Sequence, residues 1–226
     1  MGVLALLMII AGAAFQSSDF GATSHRSSPA PRTYLGAKGL EDAEGDGGAF
    51  VSAVSPPGGP LDRAGLIGGD VIKEFDGKTI ADEDDLNTLL ENIPEAKAAT
   101  LTYSRDGEIL KATVTTASEE EIERLRDASD NRAEGKGYLG VDDLERVKIP
   151  GTENYGVKIG EVKKNRPADI AGLKDGDIVR QFNDLQIRTE DEFRMRCERA
   201  APASTVSLTV IRSGETLVIP VKMGGQ

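Results

Sequence analysis

The chain has 226 residues, 38% of them hydrophobic, and it carries 27 Lys and Arg against 38 Asp and Glu for a net charge of −11. This acidic balance argues against nucleic acid and anionic membrane surfaces as main partners, because both repel a negatively charged chain. The single cysteine, Cys197, excludes an intramolecular disulfide.

The N-terminal segment, residues 1–15, has no charged side chain. It is too short for a comfortable transmembrane helix, which needs about 20 residues, but it fits the apolar core of a secretory signal. Ala11-Gly12-Ala13 matches a small-x-small cleavage pattern. No Lys or Arg precedes the run, so an uncleaved membrane anchor is the alternative. Residues 16–32, rich in Ser, Ala and Pro, are predicted to form a flexible tether, and we expect export to the periplasm or cell envelope.

The rest of the chain repeats one ordered set of motifs. Tyr34-Leu35-Gly36-Ala37 returns as Tyr138-Leu139-Gly140-Val141, and Ala64-Gly65-Leu66 with Gly69-Asp70 returns as Ala171-Gly172-Leu173 with Gly176-Asp177. Solenoid repeats have periods of roughly 20–50 residues, and this period is far longer. The repeat therefore predicts two small domains, residues 33–116 and 137–226, joined by a charged helical linker over residues 117–136.

Hydrophobic periodicity gives both copies the same order of elements. A strand directly follows each Tyr-Leu-Gly loop. The further predicted strands cover residues 49–54, 71–75, 99–103 and 109–115, then 157–162, 178–182, 206–211 and 216–221. Short helices are predicted over residues 61–66 and after the matching loop, and longer helices over residues 82–93 and 190–199. This order predicts an α+β, mainly β class, with two domains that each form a small, partly open β-barrel with two helices.

The linker contains a predicted helix over residues 118–128. Ser118 and Glu121 have the spacing of a capping box. Its apolar face is thin, with only Ile122, Leu125 and Ala128. This pattern favours a helix that joins two domains over one that enters a core.

The ordered motifs, found twice, resemble the PDZ domains of bacterial HtrA/DegP-like periplasmic proteases. The resemblance implies binding of extended peptides or free C-termini, by strand addition to a sheet edge and capture of the carboxylate by backbone N–H groups. It implies positive charge from Arg32 and Lys136 beside the loops. The implied peptide-binding residues are Tyr34, Leu35, Gly36, Ala37, Leu86, Leu90, Tyr138, Leu139, Gly140, Val141, Phe193 and Cys197.

The two copies differ in pocket and in charge. Ala37 stands where the resemblance implies a larger aliphatic residue, which Val141 supplies in the second copy. Residues 33–116 contain 7 Lys and Arg against 16 Asp and Glu, whereas residues 137–226 contain 14 of each. We therefore expect the first groove to be the more specialised one, and the two grooves to prefer different ligands.

Catalysis is not expected. A Ser-His-Asp arrangement needs a histidine base, and the one histidine, His25, lies in the predicted tether. Zinc motifs and phosphate-binding Gly-rich loops are absent from the sequence, so no metal and no cofactor are predicted. Three functions stay open: a non-catalytic exported adaptor that binds peptides, a regulatory or substrate-delivering partner of a separate HtrA-like protease, and a structural module whose own chain fills its grooves.

Overall fold

The computed structural model describes residues 33–45, 47–130 and 135–225, and it contains two β-rich domains joined by one helix. The predictions for residues 1–15 and 16–32, including Arg32, lie outside the described residues. The predicted α+β, mainly β class is confirmed. Each domain is built on a six-stranded antiparallel sheet, and the sheets stay open and do not close into barrels.

The first domain contains six strands and two helices. In chain order they are β1 (Ala37–Asp42), β2 (Ala49–Val54), α1 (Pro60–Arg63), β3 (Val71–Phe75), β4 (Lys78–Thr79), α2 (Glu83–Glu91), β5 (Ala98–Arg105) and β6 (Glu108–Thr115). The strands lie in the order β1-β2-β3-β5-β6, with β4 paired to β3, so β1 is an edge strand. Asp82 caps α2, since its side chain accepts a 2.9 Å hydrogen bond from the amide of Asp85.

The second domain repeats this plan after the linking helix α3 (Glu119–Asp130). Its elements are β7 (Gly137–Tyr138), β8 (Val141–Lys148), β9 (Tyr155–Val162), α4 (Pro167–Ala171), β10 (Ile178–Phe182), β11 (Leu185–Gln186), α5 (Glu190–Arg199), β12 (Thr205–Arg212), β13 (Glu215–Lys222) and β14 (Gly224–Gly225). The order β13-β12-β10-β9-β8 again leaves the strand after the Tyr-Leu-Gly loop at the sheet edge. The short β14 pairs with β7.

Each domain has its own apolar core between the sheet and its longer helix. Their largest buried members are Leu61, Leu66, Ile72, Phe75, Leu86 and Leu101 in the first domain, and Ile159, Ile187, Phe193 and Leu208 in the second. Burial of a Leu, Ile or Phe side chain stabilises a fold by about 1.5–3 kcal/mol. The cores therefore stabilise the packing of α2 and α5 on their sheets.

The repeated Gly-Asp motif anchors the same internal ion pair in both domains. Arg105 contacts Asp70 through Nε at 2.7 Å and Nη2 at 2.6 Å, and Arg212 contacts Asp177 through the same two atoms at 2.7 Å. Both carboxylates are fully buried, and they hold the pKa of Arg105 and of Arg212 above the ordinary value. These aspartates are thus structural.

The start of α5 packs on β2 of the first domain. The Thr189 hydroxyl donates a 2.6 Å hydrogen bond to the carbonyl of Ser52, and the amide of Val54 donates to Glu192 Oε2 at 3.5 Å. Glu192 is only 1% exposed and pairs with Arg196 one turn later in α5. The second domain therefore contributes buried polar groups to the first.

A buried arginine extends this contact between the domains. The Arg188 side chain is 6% exposed and pairs with Asp106, and its Nη1 lies 3.7 Å from Asp70 Oδ1. Burial lowers the pKa of Arg188, while Asp106 and Asp70 oppose that shift. A buried cation left without partners costs several kcal/mol, so Arg188 favours the docked arrangement of the two domains.

Candidate functional site

The first Tyr-Leu-Gly loop presents unpaired amides at the head of a groove. The carbonyl of Leu35 accepts a 2.8 Å bond from the amide of Leu61, and the carbonyl of Gly36 accepts a 2.9 Å bond from Ser55. Among the described residues, neither the Leu35 nor the Gly36 amide donates a hydrogen bond. Two adjacent free N–H groups are what a terminal carboxylate requires.

The second loop has the same geometry. The carbonyls of Leu139 and Gly140 accept bonds of 2.9 and 3.0 Å from the amides of Ala168 and Lys163. Within the described ranges, the amides of Leu139 and Gly140 also donate to no protein acceptor. Gly140 has φ +84°, and a Cβ there would lie 2.4 Å from Cβ of Arg166. Only glycine fits this position without a shift of the neighbouring chain.

The second groove lies between the free edge of β8 and the α5 helix. Its cavity of about 200 Å³ opens to solvent, and both apolar and charged side chains line it. Of the predicted residues, the structure brings Tyr138, Leu139, Gly140, Val141, Phe193 and Cys197 together around this cavity. Its lining further includes Gly137, Asp142, Leu144, Arg194 and Glu198.

Cys197 contributes an apolar wall to this groove. Burial raises the pKa of its thiol to about 12, so the group stays protonated at neutral pH. A protonated, buried thiol is a small hydrophobe and a poor nucleophile. The side chain is thus suited to contact an apolar ligand group.

The first groove lies between β1 and α2, with a cavity of about 350 Å³. The structure brings Tyr34, Leu35, Gly36, Ala37 and Leu90 to this cavity. Leu86, also predicted as a wall residue, is fully buried in the core and does not line the cavity. The α2 residues that face the groove are Glu83, Asn87 and Leu90. Two of these three residues are polar, whereas two of the three α5 residues Phe193, Arg194 and Cys197 in the second groove are apolar.

A polar contact closes the far end of each groove. In the first, the amide of Glu83 donates a 3.0 Å bond to Asp42 Oδ1. In the second, the amide of Arg146 donates a 2.5 Å bond to Glu190 Oε1. In the second groove, the edge of β8 between the loop and the hydrogen bond from Arg146 to Glu190 is about five residues long, at about 3.3 Å per residue. This length suits a short extended peptide.

The positive charge near the second loop comes from another residue than the predicted Lys136, whereas the predicted Arg32 lies outside the described residues. Lys136 does not line the second cavity; it lies 3.8 Å from Glu198, in an exposed pair of little energetic weight. Arg166 lies beside Gly140 instead, and its guanidinium is 5.9 Å from the Tyr138 ring. Arg126 of α3 lines the first cavity. Sequence reasoning missed both arginines because they come from other elements than the loops.

Nothing in the described residues forms a metal site, since no group of three or more His, Cys, Asp and Glu side chains converges there. Across those same ranges no helix has the length and apolarity to cross a bilayer.

Comparison with known proteins assigns both copies of the repeat to one family. A family model described as PDZ domain matches residues 33–116 and 133–223. The match confirms the resemblance predicted from the repeated motifs.

Curated relatives match most of the chain. A probable periplasmic serine endoprotease DegP-like of Ectopseudomonas mendocina is 30% identical over 181 residues, which is 78% of this chain and 38% of the relative. The protein of the same description from Pseudomonas fulva is 31% identical over 182 residues, again 78% of this chain and 38% of the relative. The chain thus spans well under half the length of these two relatives.

Among solved structures, the HtrA3 PDZ domain bound to the phage-derived ligand FGRWV is 24% identical, with a TM-score of 0.33. The match covers 39% of this chain and 89% of that one.

Proposed function

Because the chain belongs to the PDZ domain family, we propose that it is a non-catalytic adaptor that captures hydrophobic C-termini of extended peptides by strand addition. The observation that carries this function is the second groove. There, the amides of Leu139 and Gly140, which donate to no acceptor among the described residues, lie at the head of an open cavity with an apolar wall. The carboxylate binds these amides, and the last side chain enters the pocket of Val141, Phe193 and Cys197.

The peptide adds as a new strand along β8. Among the described strands, β8 is the outer member of its sheet, and none of them pairs with its groove side before the hydrogen bond between Arg146 and Glu190. Backbone hydrogen bonds supply affinity that is independent of side chains, whereas the pocket selects the terminal residue. One short strand and one pocket bury little surface, so affinity in the micromolar range, about −8 kcal/mol, is expected.

The domain limits and location belong to the same proposal. Residues 33–116 and 137–226 are the two binding domains, residues 117–136 the linker, and the sequence before residue 33 directs export or anchors the chain. The periplasmic description of the relatives supports this location. No nucleic acid, metal or cofactor takes part.

The relatives are described as serine endoproteases, which favours a second candidate function. In it, the adaptor delivers bound substrates to a separate HtrA-like protease. Capture of C-termini is common to both functions, and co-purification with a protease distinguishes them.

The test is a titration of the whole protein with fluorescent peptides that end in Val, Leu or Phe, each as free acid and as amide. We expect the amide to bind several-fold more weakly, because it lacks the negative charge that the loop amides accept. Val141→Glu places an anion beside the loop and is expected to abolish binding through the second groove. Equal affinity of free acids and amides would contradict carboxylate capture.

A further inference from the structure

The linking helix α3 lies over the head of the first groove. Ile122 is 4% exposed, and it lines the same cavity as Leu35, Gly36, Ala37 and Leu90. Arg126, four residues later on the same helical face, lines that cavity too. An isoleucine that a linker alone would expose to solvent is thus buried at the end of the groove where a ligand's last side chain belongs.

Two further contacts join α3 to the first domain, one of them an ion pair between partly exposed side chains. The Glu121 carboxylate pairs with Arg63 at 3.1 Å, and Leu125 lies against Gly58. Gly58 and Arg63 belong to the segment that packs behind Gly36, since a Cβ on Gly36 would lie 3.5 Å from Gly59 and 3.3 Å from Pro60. The N-terminus of α3 is capped, because the Ser118 hydroxyl accepts a 3.1 Å bond from the amide of Glu121.

The first groove also has the room that such an insertion needs. Ala37 of β1 is small, whereas Val141 takes the same place in the second loop. Among the described residues, the cavity of the second groove is lined by residues between 137 and 144 and by α5, and α3 contributes none. The two grooves of the molecule therefore differ in the size of one loop residue and in their contact with α3.

We propose that Ile122 lies where the last side chain of a ligand would enter the first groove, so that α3 and a peptide C-terminus compete for this place. The first groove is then latent and the second is constitutively open. This inference rests on the proposed function. A partner that draws α3 away converts the protein from one binding site to two, and only then does the linkage of two grooves increase the affinity for a ligand with two C-termini.

The test uses the full chain in the Val141→Glu background, where binding reports on the first groove. Ile122→Asn removes the apolar plug. Glu123→Asn, at the exposed neighbouring position of α3, is the matched control. We expect V141E and V141E/E123N to bind the free-acid peptides weakly, and V141E/I122N to bind them at least about ten-fold more tightly, about 1.4 kcal/mol.

Equal affinity of V141E and V141E/I122N would overturn the competition. Weaker binding of V141E/I122N than of V141E would show that α3 assists the groove, and it would overturn the inference as well. If Ile122→Asn prevents folding, Ile122→Ala gives a smaller gain of the same sign, and no gain is then the contrary result.

Hydrogen exchange of α3 supplies an independent reading. Peptide at a concentration that saturates the first groove of V141E is expected to speed exchange of the α3 amides, because the peptide displaces the helix. Unchanged exchange at saturation contradicts the proposal. If no peptide binds the wild-type protein, the proposed function itself fails, whereas binding through the second groove without a gain from Ile122→Asn defeats only the competition.

Discussion

The hydroxyl of Thr189 donates a 2.6 Å hydrogen bond to the carbonyl oxygen of Ser52, 137 residues earlier in the chain. The Thr189 hydroxyl oxygen also accepts a 3.2 Å bond from the amide of Glu192 and so caps α5. One side chain therefore fixes the start of the second groove's helix and docks that helix on the first domain. Since both residues are buried, neither group has water as an alternative partner.

Thr189→Val is expected to destabilise the protein by about 1–3 kcal/mol, because it removes a helix cap and leaves the buried Ser52 carbonyl without its donor. Thr189→Ser keeps the hydroxyl and is the matched control. Urea unfolding of both variants measures the difference. Equal midpoints for the two variants would show that the loss comes from the altered side-chain shape and not from the hydroxyl.

Gly140→Ala and Gly36→Ala test the two loops against each other. Both glycines have positive φ, +84° and +79°, but the added Cβ meets Arg166 Cβ at 2.4 Å in the second loop and Pro60 Cδ only at 3.3 Å in the first. Positive φ alone costs an alanine about 1–2 kcal/mol. We expect Gly140→Ala to destabilise the protein more than Gly36→Ala does.

We expect Gly140→Ala to weaken peptide binding more than Gly36→Ala does. A shifted second loop moves the Leu139 and Gly140 amides away from the carboxylate, so Gly140→Ala is expected to weaken binding of free-acid peptides by about ten-fold or more. Fluorescence anisotropy of the wild type and both variants measures this. If Gly36→Ala weakened binding as much, the first groove would be open in the resting molecule.

The fold was predictable from the sequence because its signals are local. Asp76-Gly77 and Asp106-Gly107 mark hairpins, and in the structure these turns join β3 to β4 and β5 to β6. The predicted strand over residues 71–75 coincides with β3. The two-residue strands β4 and β11 were not predicted, since two residues carry no periodicity.

The candidate site was predictable only where the chain repeats itself. The two Tyr-Leu-Gly loops are visible in the sequence as a repeated local motif. Arg166 and Arg126 lie elsewhere in the chain, and only the fold brings them to the loops. Ile122 was predicted to belong to a thin, linking helix face, and it is buried in the first groove. Its burial depends on where α3 lies in space, which no local pattern specifies. Leu86 was predicted to line the groove and lies in the core instead. A helical stripe of apolar residues does not distinguish a core position from a neighbouring groove position such as Asn87.

Arg212→Met tests the buried pair with Asp177. Asp177 is fully buried and accepts two bonds of 2.7 Å from Arg212, so the variant leaves a carboxylate without its cation in the interior. We expect a loss of about 3–5 kcal/mol. Lys148→Met, which breaks the exposed pair with Glu153, is the control and is expected to cost far less, because solvent screens an exposed ion pair. Thermal unfolding measures both, and similar losses would contradict a structural role for the Gly-Asp motif.

Cys197 predicts a fall in stability at alkaline pH. Burial raises the pKa of its thiol from 9.0 to about 12, so below pH 9 the thiol is protonated in the folded and the unfolded chain alike. Between these two pKa values the unfolded chain loses the proton while the folded chain keeps it. Stability therefore falls as pH rises through this interval, by up to about 1.4 kcal/mol per pH unit from this group.

The measurement is urea unfolding of the wild type and of Cys197→Ala from about pH 8 to about pH 11. All other groups titrate in both proteins, so the difference between their unfolding free energies isolates the thiol. We expect this difference to be constant up to about pH 9 and then to shrink with rising pH, because only the wild type resists ionisation of a buried thiol. Parallel curves over the whole range would mean that the thiol is accessible to water, and the wall of the second groove would then be more open than the structure shows.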